Sequence, residues 1–263
     1  HKTVRRQRQM CIRDRSYPGS AWAKQVFPDL EERDAISSLA KAIFSISRVD
    51  NPDPIAAWEK HQQTLTSRQN WLNEKNFSAL RYSAPGTDLT IGLAKGHEWK
   101  GGASTSKNGI TCTPNIPTEE VFTTPHSHRV DGCVRATKPL VYRGTLIEGI
   151  EVEFEEGKIT KARAEKGEEV FLNLLDTDEG ARRLGEVALV PHSSPISESG
   201  LLFYNTLYDE NASCHIALGQ CYSKCFRDDI GDDPEKVSEA GGNTSNIHVD
   251  LSLIHISEPT RPL

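Results

Sequence analysis

The spacing of apolar positions divides the chain into a helical part followed by a strand-rich part. Between residues 29 and 46, apolar side chains recur every three or four positions, which is the period of an amphipathic helix. These positions are Ile36, Leu39, Ile43 and Ile46. Asp29 can cap such a helix, so we predict that it begins near Leu30.

A second helix is predicted from Pro54 to about Lys75. Asp53 suits the N-cap position, and Pro54 suits the first helical position because its missing N–H has no partner there. Apolar residues recur at a seven-residue spacing along this segment and are expected in the core. They are Trp58, Leu65 and Leu72.

From residue 79 onward the pattern alternates with a period of two, which indicates strands. The predicted strands span residues 79–83, 89–94, 134–142, 145–154, 158–164, 187–190, 216–218 and 247–249. A helix is predicted over 167–184, ending at Gly185. We therefore predict an α+β fold, with a helical N-terminal part followed by a β-dominated domain.

Composition and charge narrow the classes of protein without identifying one. The 263 residues are 36% hydrophobic and 26% charged, with a formal net charge of −6, which is ordinary for a folded globular protein. Outside the N-terminal tail no basic face for nucleic acid is indicated, and no apolar run reaches the roughly 18 residues of a membrane span. A cytoplasmic protein without nucleic-acid or membrane partners is expected.

Both ends of the chain differ in character from the rest. Residues 1–16 (HKTVRRQRQMCIRDRS) are densely basic and lack periodicity, and residues 251–263 (LSLIHISEPTRPL) follow a polar loop. Both resemble translated sequencing-adapter read-through, so we interpret them as extraneous and do not count His255 as a ligand. A phosphate-binding arm is the alternative at the N-terminus. The remaining segments are a helical segment, 17–78, and a strand-rich region, 79–250, truncated at its C-terminus.

Several familiar catalytic motifs are absent from the sequence. There is no GxGxxG, Walker A, GxSxG or HExxH motif, so a nucleotide-binding loop, a nucleophile elbow and a helix-borne zincin site have no support. Cys214, Cys221 and Cys225 lie close together, but they lack the paired knuckles of a structural zinc site. Reduced thiols near a functional loop are the favoured interpretation.

Two segments place carboxylates in unusual surroundings. In PNIPTEEVFTTP, Glu119 and Glu120 lie in a proline-bracketed stretch that could direct one side chain inward and the other to water. In LGEVALVP, Glu186 enters an apolar run, where a carboxylate must be paired, protonated or metal-bound. A solvated turn and a buried salt bridge are the respective alternatives.

Two further segments add histidines. Glu210 and His215 are five residues apart, and Tyr222 follows seven residues later. A histidine in such an apolar run is more often a core residue, although a nearby carboxylate favours a ligand. His248 and Asp250 in NIHVD would point to the same face of a strand. Carboxylates together with imidazoles suit Zn, Co or Mn.

The segments IPTEEVFTTP, GEVALVP, FYNTLYDENASCHIALG and NIHVD, in this order, resemble the signature segments of the M29 metallo-aminopeptidases of the aminopeptidase T and aminopeptidase S/PepS type. The resemblance covers nearly all of residues 17–250. It implies that 79–250 is a metallopeptidase catalytic region, with Tyr222 as the active-site tyrosine. The metal ligands it implies are Glu120, Glu186, Glu210, His215, His248 and Asp250.

The same resemblance implies a function. Two divalent ions (Zn, Co, Mn or Mg) would activate a water that hydrolyses the N-terminal peptide bond of peptides with a free N-terminus, and Glu119 is a candidate general base. Family members are cytoplasmic homodimers. Their further N-terminal α/β domain has no counterpart here. A non-catalytic metal-binding protein and a related metallo-amidohydrolase stay open as alternatives.

Overall fold

The structure is a computed structural model that describes residues 16–106, 108–231 and 233–253. The described part begins with three helices, two of which the sequence predicts. They are α1 (Ser20–Val26), α2 (Glu32–Ile46) and α3 (Pro54–Lys75). The first strand begins at Ala79, so the helical part gives way to sheets where the apolar period changes.

The two predicted helix starts have different outcomes. The carboxylate of Asp53 accepts a hydrogen bond from the Ala56 N–H at 3.0 Å, which confirms the predicted cap of α3. The start predicted from Asp29 is wrong by two residues, because residues 28–30 form a turn and α2 begins at Glu32.

The helical part has a small core of its own. Leu39 and Ile43 of α2 pack with Ala23 of α1, and this cluster extends to Phe203 and Tyr208 of the later chain. The helices therefore contact the loop-rich region that carries one of the predicted ligands.

One antiparallel sheet has five strands in the order β1-β2-β7-β10-β11. These strands are β1 (Ala79–Ala84), β2 (Thr87–Leu93), β7 (Pro125–Arg135), β10 (Glu151–Glu155) and β11 (Lys158–Arg163). The strand predicted over 134–142 is wrong, because β7 ends at Arg135 and β8 (Leu140–Tyr142) pairs instead with β9 (Thr145–Ile147). The single strand predicted over 145–154 is divided at Gly149, whose φ of 63° turns the chain between β9 and β10.

A second antiparallel sheet has the order β14-β13-β12-β6-β3. Its strands are β14 (His248–Ser252), β13 (His215–Gly219), β12 (Leu184–Leu189), β6 (Val121–Thr123) and β3 (Lys100–Gly101). A small hairpin of β4 (Ser104–Thr105) and β5 (Thr111–Cys112) lies apart from both sheets.

The helix predicted over 167–184 is shorter than expected. Helix α4 spans Glu168–Leu175, and a 3-10 turn, Glu179–Arg182, follows. Asp178 caps that turn by accepting a hydrogen bond from the Ala181 N–H at 2.9 Å. The chain then enters β12 at Leu184, so Gly185 lies within a strand instead of ending a helix.

Four short helical pieces complete the described fold. They are α5 (Pro195–Ser199), α6 (Thr206–Glu210), a 3-10 turn (Ser223–Cys225) and α7 (Pro234–Glu239). The main core draws on both five-stranded sheets together with α3 and α4, so the second sheet has one face in the core. No helix in the described ranges is both long and apolar enough to cross a membrane.

Strand β14 continues two residues beyond the predicted boundary at Asp250. Leu251 and Ser252 pair with β13, and Leu253 is buried. The interpretation of residues 1–16 and 251–263 as extraneous stays a prediction. It falls largely on residues 1–15 and 254–263, which lie outside the described part of the chain.

Candidate metal centre

Five of the predicted site residues are placed by the register of the second sheet. Ala217 of β13 pairs with Glu186 on one side and with Asp250 on the other. Directly opposed residues point to the same face of a sheet. His215 and His248 lie two positions before Ala217 and Asp250 in their strands, so they share that face. The small Ala217 leaves room between the two carboxylates.

Glu120 reaches the same face from the end of β6. Phe122 pairs with Ala188, which in turn pairs with His215, and Glu120 lies two positions before Phe122. The opposite face of these strands supplies the core through Val121, Val187, Ile216, Leu218 and Val249. The sheet therefore separates an apolar face from a face rich in carboxylates and imidazoles.

A β-bulge in β12 helps to set the position of Glu186. The pairing register between β12 and β13 shifts between Leu184 and Glu186. A Cβ on Gly185 would lie 2.4 Å from the carbonyl oxygens of Gly219 and Gln220, so only glycine fits at this close approach. A bulge of this kind redirects the next side chain.

The carboxylate of Glu186 lies between the two imidazoles. Its Oε1 is 3.8 Å from His215 Nε2, and its Oε2 is 3.3 Å from His248 Nε2. Asp250 Oδ1 lies 3.7 Å from the same His248 nitrogen. Each oxygen of one carboxylate thus faces a different imidazole.

Glu120, Glu186 and His215 form a compact triad that fits a metal ion. Their candidate ligand atoms all lie within 4.8 Å of one another, and all three residues are buried. Glu120 Oε2 lies 3.0 Å from His215 Nε2 but has no partner with hydrogen-bond geometry. A buried carboxylate oxygen without a hydrogen bond is costly, and a cation would satisfy it.

Backbone carbonyls orient both imidazoles. His248 Nδ1 lies 2.7 Å from the Gln220 carbonyl oxygen, and His215 Nδ1 lies 3.3 Å from that of Ser213. A proton on Nδ1 would donate to each carbonyl, and in the neutral imidazole this leaves the Nε2 lone pair for a cation. Histidine ligands of metals are commonly held in this way.

The electrostatics of the group show an excess of negative charge. Burial and neighbouring carboxylates raise the pKa of Glu210 well above its ordinary value. Burial alone would lower the pKa of His215, but the Glu120 carboxylate raises it to about 10. Burial alone would also lower the pKa of His248, but Glu186, Asp250 and the Gln220 carbonyl together raise it to about 9. Divalent cations would relieve this repulsion, so the donor set fits such ions.

A cavity of about 890 Å³ lies over this face, and Glu210 and Tyr222 line it with the cluster. Glu210, at the end of α6, shares a hydrogen bond with Asp250. The ring of Tyr222 lies 4.8 Å from that of His248, and burial and nearby carboxylates raise the pKa of its phenol well above the usual value. The structure thus gathers all six predicted ligands and the tyrosine around one space.

Glu119 has different surroundings from Glu120. The prediction that one of these carboxylates faces water is wrong, since their exposures are 3% and 7%. Glu119 does not line the cavity, and Arg48 Nη1 and Nη2 donate to its two oxygens at 2.7 and 3.1 Å. A role as general base stays a prediction, and the observed contacts are those of a buried ion pair.

The partners of Glu119 come from the helical part. Arg48 follows α2 with a left-handed φ of 60° and lies 5.5 Å from the Trp58 ring centroid. His61 of α3 contacts Arg48 through Nδ1 at 3.2 Å and the Thr118 carbonyl through Nε2 at 2.7 Å. The pKa of His61 is lowered by burial. The helices therefore hold the segment that ends in Glu120.

Asn211 connects two of the acidic segments. Its side-chain oxygen accepts a hydrogen bond from the Glu119 N–H at 2.7 Å. Its amide nitrogen donates to the Leu207 carbonyl at 2.9 Å and lies 3.4 Å from Glu210 Oε1. Asn211 is fully buried. The side chain of Asn211 thus links Glu119, which precedes the ligand Glu120, to the second predicted ligand Glu210.

Sequence reasoning missed the three residues that support the cluster, Arg48, His61 and Asn211. Arg48 and His61 reach Glu119 and Thr118 across 71 and 57 residues, and neither lies in a recognisable motif. Asn211 directly follows Glu210, so only its position beside a predicted ligand could have drawn attention to it.

Comparison with known proteins identifies several aminopeptidases that are similar to this chain. Aminopeptidase T from Thermus aquaticus is 54% identical over 238 residues, covering 90% of this chain and 57% of that protein. Aminopeptidase 2 from Geobacillus stearothermophilus is 50% identical over 238 residues, covering 90% and 58%. The solved structure of wild-type AmpT from Thermus thermophilus superposes with a TM-score of 0.82 at 52% identity, covering 90% of this chain and 57% of that chain.

The chain therefore spans less than two thirds of the length of these relatives. A model of the family described as thermophilic metalloprotease (M29) matches residues 6–257, which extends past residues 17–250 at both ends. This match and the identities above show that the chain belongs to the M29 family of metalloproteases.

Proposed function

We propose that this chain carries the catalytic centre of a metal-dependent aminopeptidase, which hydrolyses the N-terminal peptide bond of peptides. The carboxylate of Glu186 carries this proposal, because its two oxygens face two different imidazoles at 3.8 and 3.3 Å. The names of the relatives, all of them aminopeptidases in the M29 family, support the same reaction.

The donors divide into two groups around Glu186. His215, which Glu120 contacts at 3.0 Å, faces one of its oxygens, while His248, which Asp250 contacts at 3.7 Å, faces the other. We propose that these groups, with Glu210 at the cavity wall, hold two divalent cations (Zn, Co, Mn or Mg). When bound, such cations supply Lewis acidity, which polarises a carbonyl and makes water a stronger nucleophile.

We propose that Tyr222 acts on the substrate directly. Its ring lies between those of His248 and Phe122, at 4.8 and 5.7 Å, and it lines the cavity. Its phenol O–H would donate a hydrogen bond to the scissile carbonyl oxygen as negative charge develops there. A donor placed in this way contributes about 3–4 kcal/mol to the transition state.

A free amine on the substrate would suit this donor set. Glu210 and Asp250 both line the cavity and share a hydrogen bond there. If these groups hold a cation, a neutral α-amine could serve as one further ligand to it. This would favour removal of N-terminal residues over cleavage within a chain.

A base role for Glu119 would require it to exchange a proton while Arg48 holds both of its oxygens. Its contacts support a different role, which is to fix the backbone that precedes Glu120. The cytoplasmic location and the homodimer implied by the resemblance stay predictions.

A metal-binding experiment separates this proposal from its rivals. Calorimetric titration with Zn²⁺ or Co²⁺ should detect two sites, and Glu186→Gln should abolish both, because a neutral amide is a much weaker ligand. Leu-p-nitroanilide hydrolysis should require the cation and stop with chelator. Glu153→Gln is the matched control, since Glu153 lies on β10 and pairs with Lys161 at 2.7 Å.

Retained affinity of Glu186→Gln for both cations would refute the bridging role. Metal uptake without any chelator-sensitive hydrolysis, including in a longer chain of the relatives' length, would favour the non-catalytic alternative.

A further inference from the structure

The rim of the cavity carries a cation that the proposed chemistry does not use. Lys224 lies in the 3-10 turn Ser223–Cys225 and lines the cavity together with Tyr222. We propose that Lys224 forms a subsite for a carboxylate of the bound peptide, so that short peptides with a free C-terminus are the favoured substrates. This inference rests on the proposed function.

Aromatic rings hold the Lys224 ammonium at the cavity. Its Nζ lies 4.9 Å from the Phe122 ring centroid and 5.2 Å from that of Tyr222, and both rings line the cavity. Cation–π contacts of this kind fix the position of an ammonium while leaving its N–H donors free. The Lys224 ammonium is therefore held in position by the rings and not by a carboxylate.

The neighbouring lysine differs in this respect. Lys100 pairs with Phe122 across β3 and β6 and lines the same cavity, but its Nζ is bound to Glu98 Oε2 at 2.5 Å. In the part of the chain that the structure describes, no carboxylate oxygen lies within ion-pair distance of Lys224 Nζ. Of these two lysines, only Lys224 is thus available to an incoming anion.

The distance from the cluster suits a short peptide. The contacts of Tyr222 with Lys224 and His248, at 5.2 and 4.8 Å, place the ammonium within about 10 Å of the His248 ring. An extended chain advances about 3.3–3.6 Å per residue, so about three residues span that distance. A di- or tripeptide cleaved beside His248 would bring its terminal carboxylate to Lys224.

An acidic side chain near the cleaved bond offers the same chemistry as a C-terminal carboxylate. A C-terminal carboxylate and an acidic side chain would each pair with the Lys224 ammonium, so the experiment must distinguish these two groups. If Lys224 binds no carboxylate, its role is structural, and it only packs over the rings of Phe122 and Tyr222.

Binding of non-hydrolysable analogues tests the subsite independently of turnover. The reduced dipeptide Leu-ψ(CH2NH)-Gly, as free acid and as C-terminal amide, is titrated calorimetrically into the Co²⁺-loaded chain. We expect the acid to bind about fivefold more tightly than the amide, as for a favourable partly exposed ion pair. Raising NaCl from about 0.05 to about 0.5 M should reduce this preference.

Variants assign the preference to one side chain. Lys224→Met keeps an apolar stem over the rings and should bring the acid-to-amide ratio close to one, while Lys224→Arg should retain the preference. Lys75→Met is the matched control, because Lys75 Nζ lies 6.0 Å from the Trp71 ring away from the cavity. Its acid-to-amide ratio should equal that of the wild type.

A second pair of analogues distinguishes the two sources of carboxylate. Leu-ψ(CH2NH)-Glu-NH2 and its Gln counterpart differ only in the side chain. A Lys224-dependent preference confined to this pair would replace the C-terminal carboxylate with an acidic side chain and overturn the preference for short peptides.

Equal affinity of the wild type for acid and amide, no detectable binding of either, or an unchanged ratio in Lys224→Met would overturn the subsite. Acid preference without hydrolysis of Leu-p-nitroanilide would instead count against the proposed function alone.

Discussion

Replacing Asn211 with alanine perturbs the contact between two of the acidic segments. The wild-type side chain accepts from the Glu119 N–H at 2.7 Å and donates to the Leu207 carbonyl at 2.9 Å, with no exposure to solvent. Alanine removes both bonds and has no polar side-chain atom to replace them. The backbone before Glu120 then loses its link to the backbone beside Glu210.

The expected loss of stability follows from these two bonds. A buried N–H left without a partner costs about 1–3 kcal/mol, and the bond to Leu207 contributes about 1 kcal/mol more. We therefore expect Asn211→Ala to lower the free energy of unfolding by about 2–4 kcal/mol, a large part of a typical total of about 5–15 kcal/mol. Loss of a residue that orients metal ligands also costs about tenfold or more in metal affinity.

Two measurements test this prediction. Urea unfolding with chelator present gives the change in stability without metal, and Co²⁺ titration of the folded variant gives the change in affinity. Asn243→Ala is the control, because Asn243 is also buried and donates to the Gly180 and Gly219 carbonyls at 2.8 and 2.7 Å. It should lose comparable stability but bind Co²⁺ more tightly than Asn211→Ala.

The reasoning fails if Asn211→Ala unfolds within about 0.5 kcal/mol of the wild type, since a buried orphan N–H costs more than that. It also fails if the two asparagine variants bind Co²⁺ equally well.

Two further predictions concern charged groups outside the cluster. Arg48→Met should destabilise the protein by about 3 kcal/mol in urea unfolding, because it leaves the buried Glu119 carboxylate without its main partner. Glu119→Gln should weaken Co²⁺ binding. If this variant instead loses turnover while Co²⁺ binding stays intact, Glu119 acts as the general base. The pKa of Asp178 is lowered, because hydrogen bonds from Asn246, Ser245 and Ala181 outweigh the effect of its burial. The ionised form therefore adds stability above the unfolded pKa of about 3.8, and this stability is lost as the pH falls through the lower folded pKa. In urea unfolding, Asp178→Asn should have a free energy of unfolding about 1–2 kcal/mol below that of the wild type at pH 7. If this difference stays the same at about pH 2, the account is contradicted.

Local side-chain chemistry predicted most elements of the fold. Asp53 followed by Pro54 identifies the start of α3, because the capping bond involves residues only three apart. The missed strand β7 shows where such reasoning ends. Its buried positions, which include Ser127, Val130 and Val134, do not alternate strictly with exposed ones, so the strand could not be recognised from a period of two.

The site divides in the same way between local and distant information. His248 and Asp250 share a face because they are two residues apart on one strand, and this could be read from NIHVD. The contact of Arg48 with Glu119 depends on how the helices pack on the sheets. Nothing in the residues around Arg48 specifies its partner 71 positions away, so the support of the cluster required the three-dimensional structure.

The attachment of Glu120 to the helices makes the two proposed cation positions unequal. His248 and Asp250 lie on β14 and Glu186 lies on β12, and both strands pair with β13 in one sheet, so their geometry persists as long as that sheet is folded. The other position needs Glu120, whose segment is held by Arg48 and His61. Partial opening of the helical part, which requires less free energy than global unfolding, would therefore release one cation before the other. Metal occupancy would then report on the integrity of two separate regions of the chain.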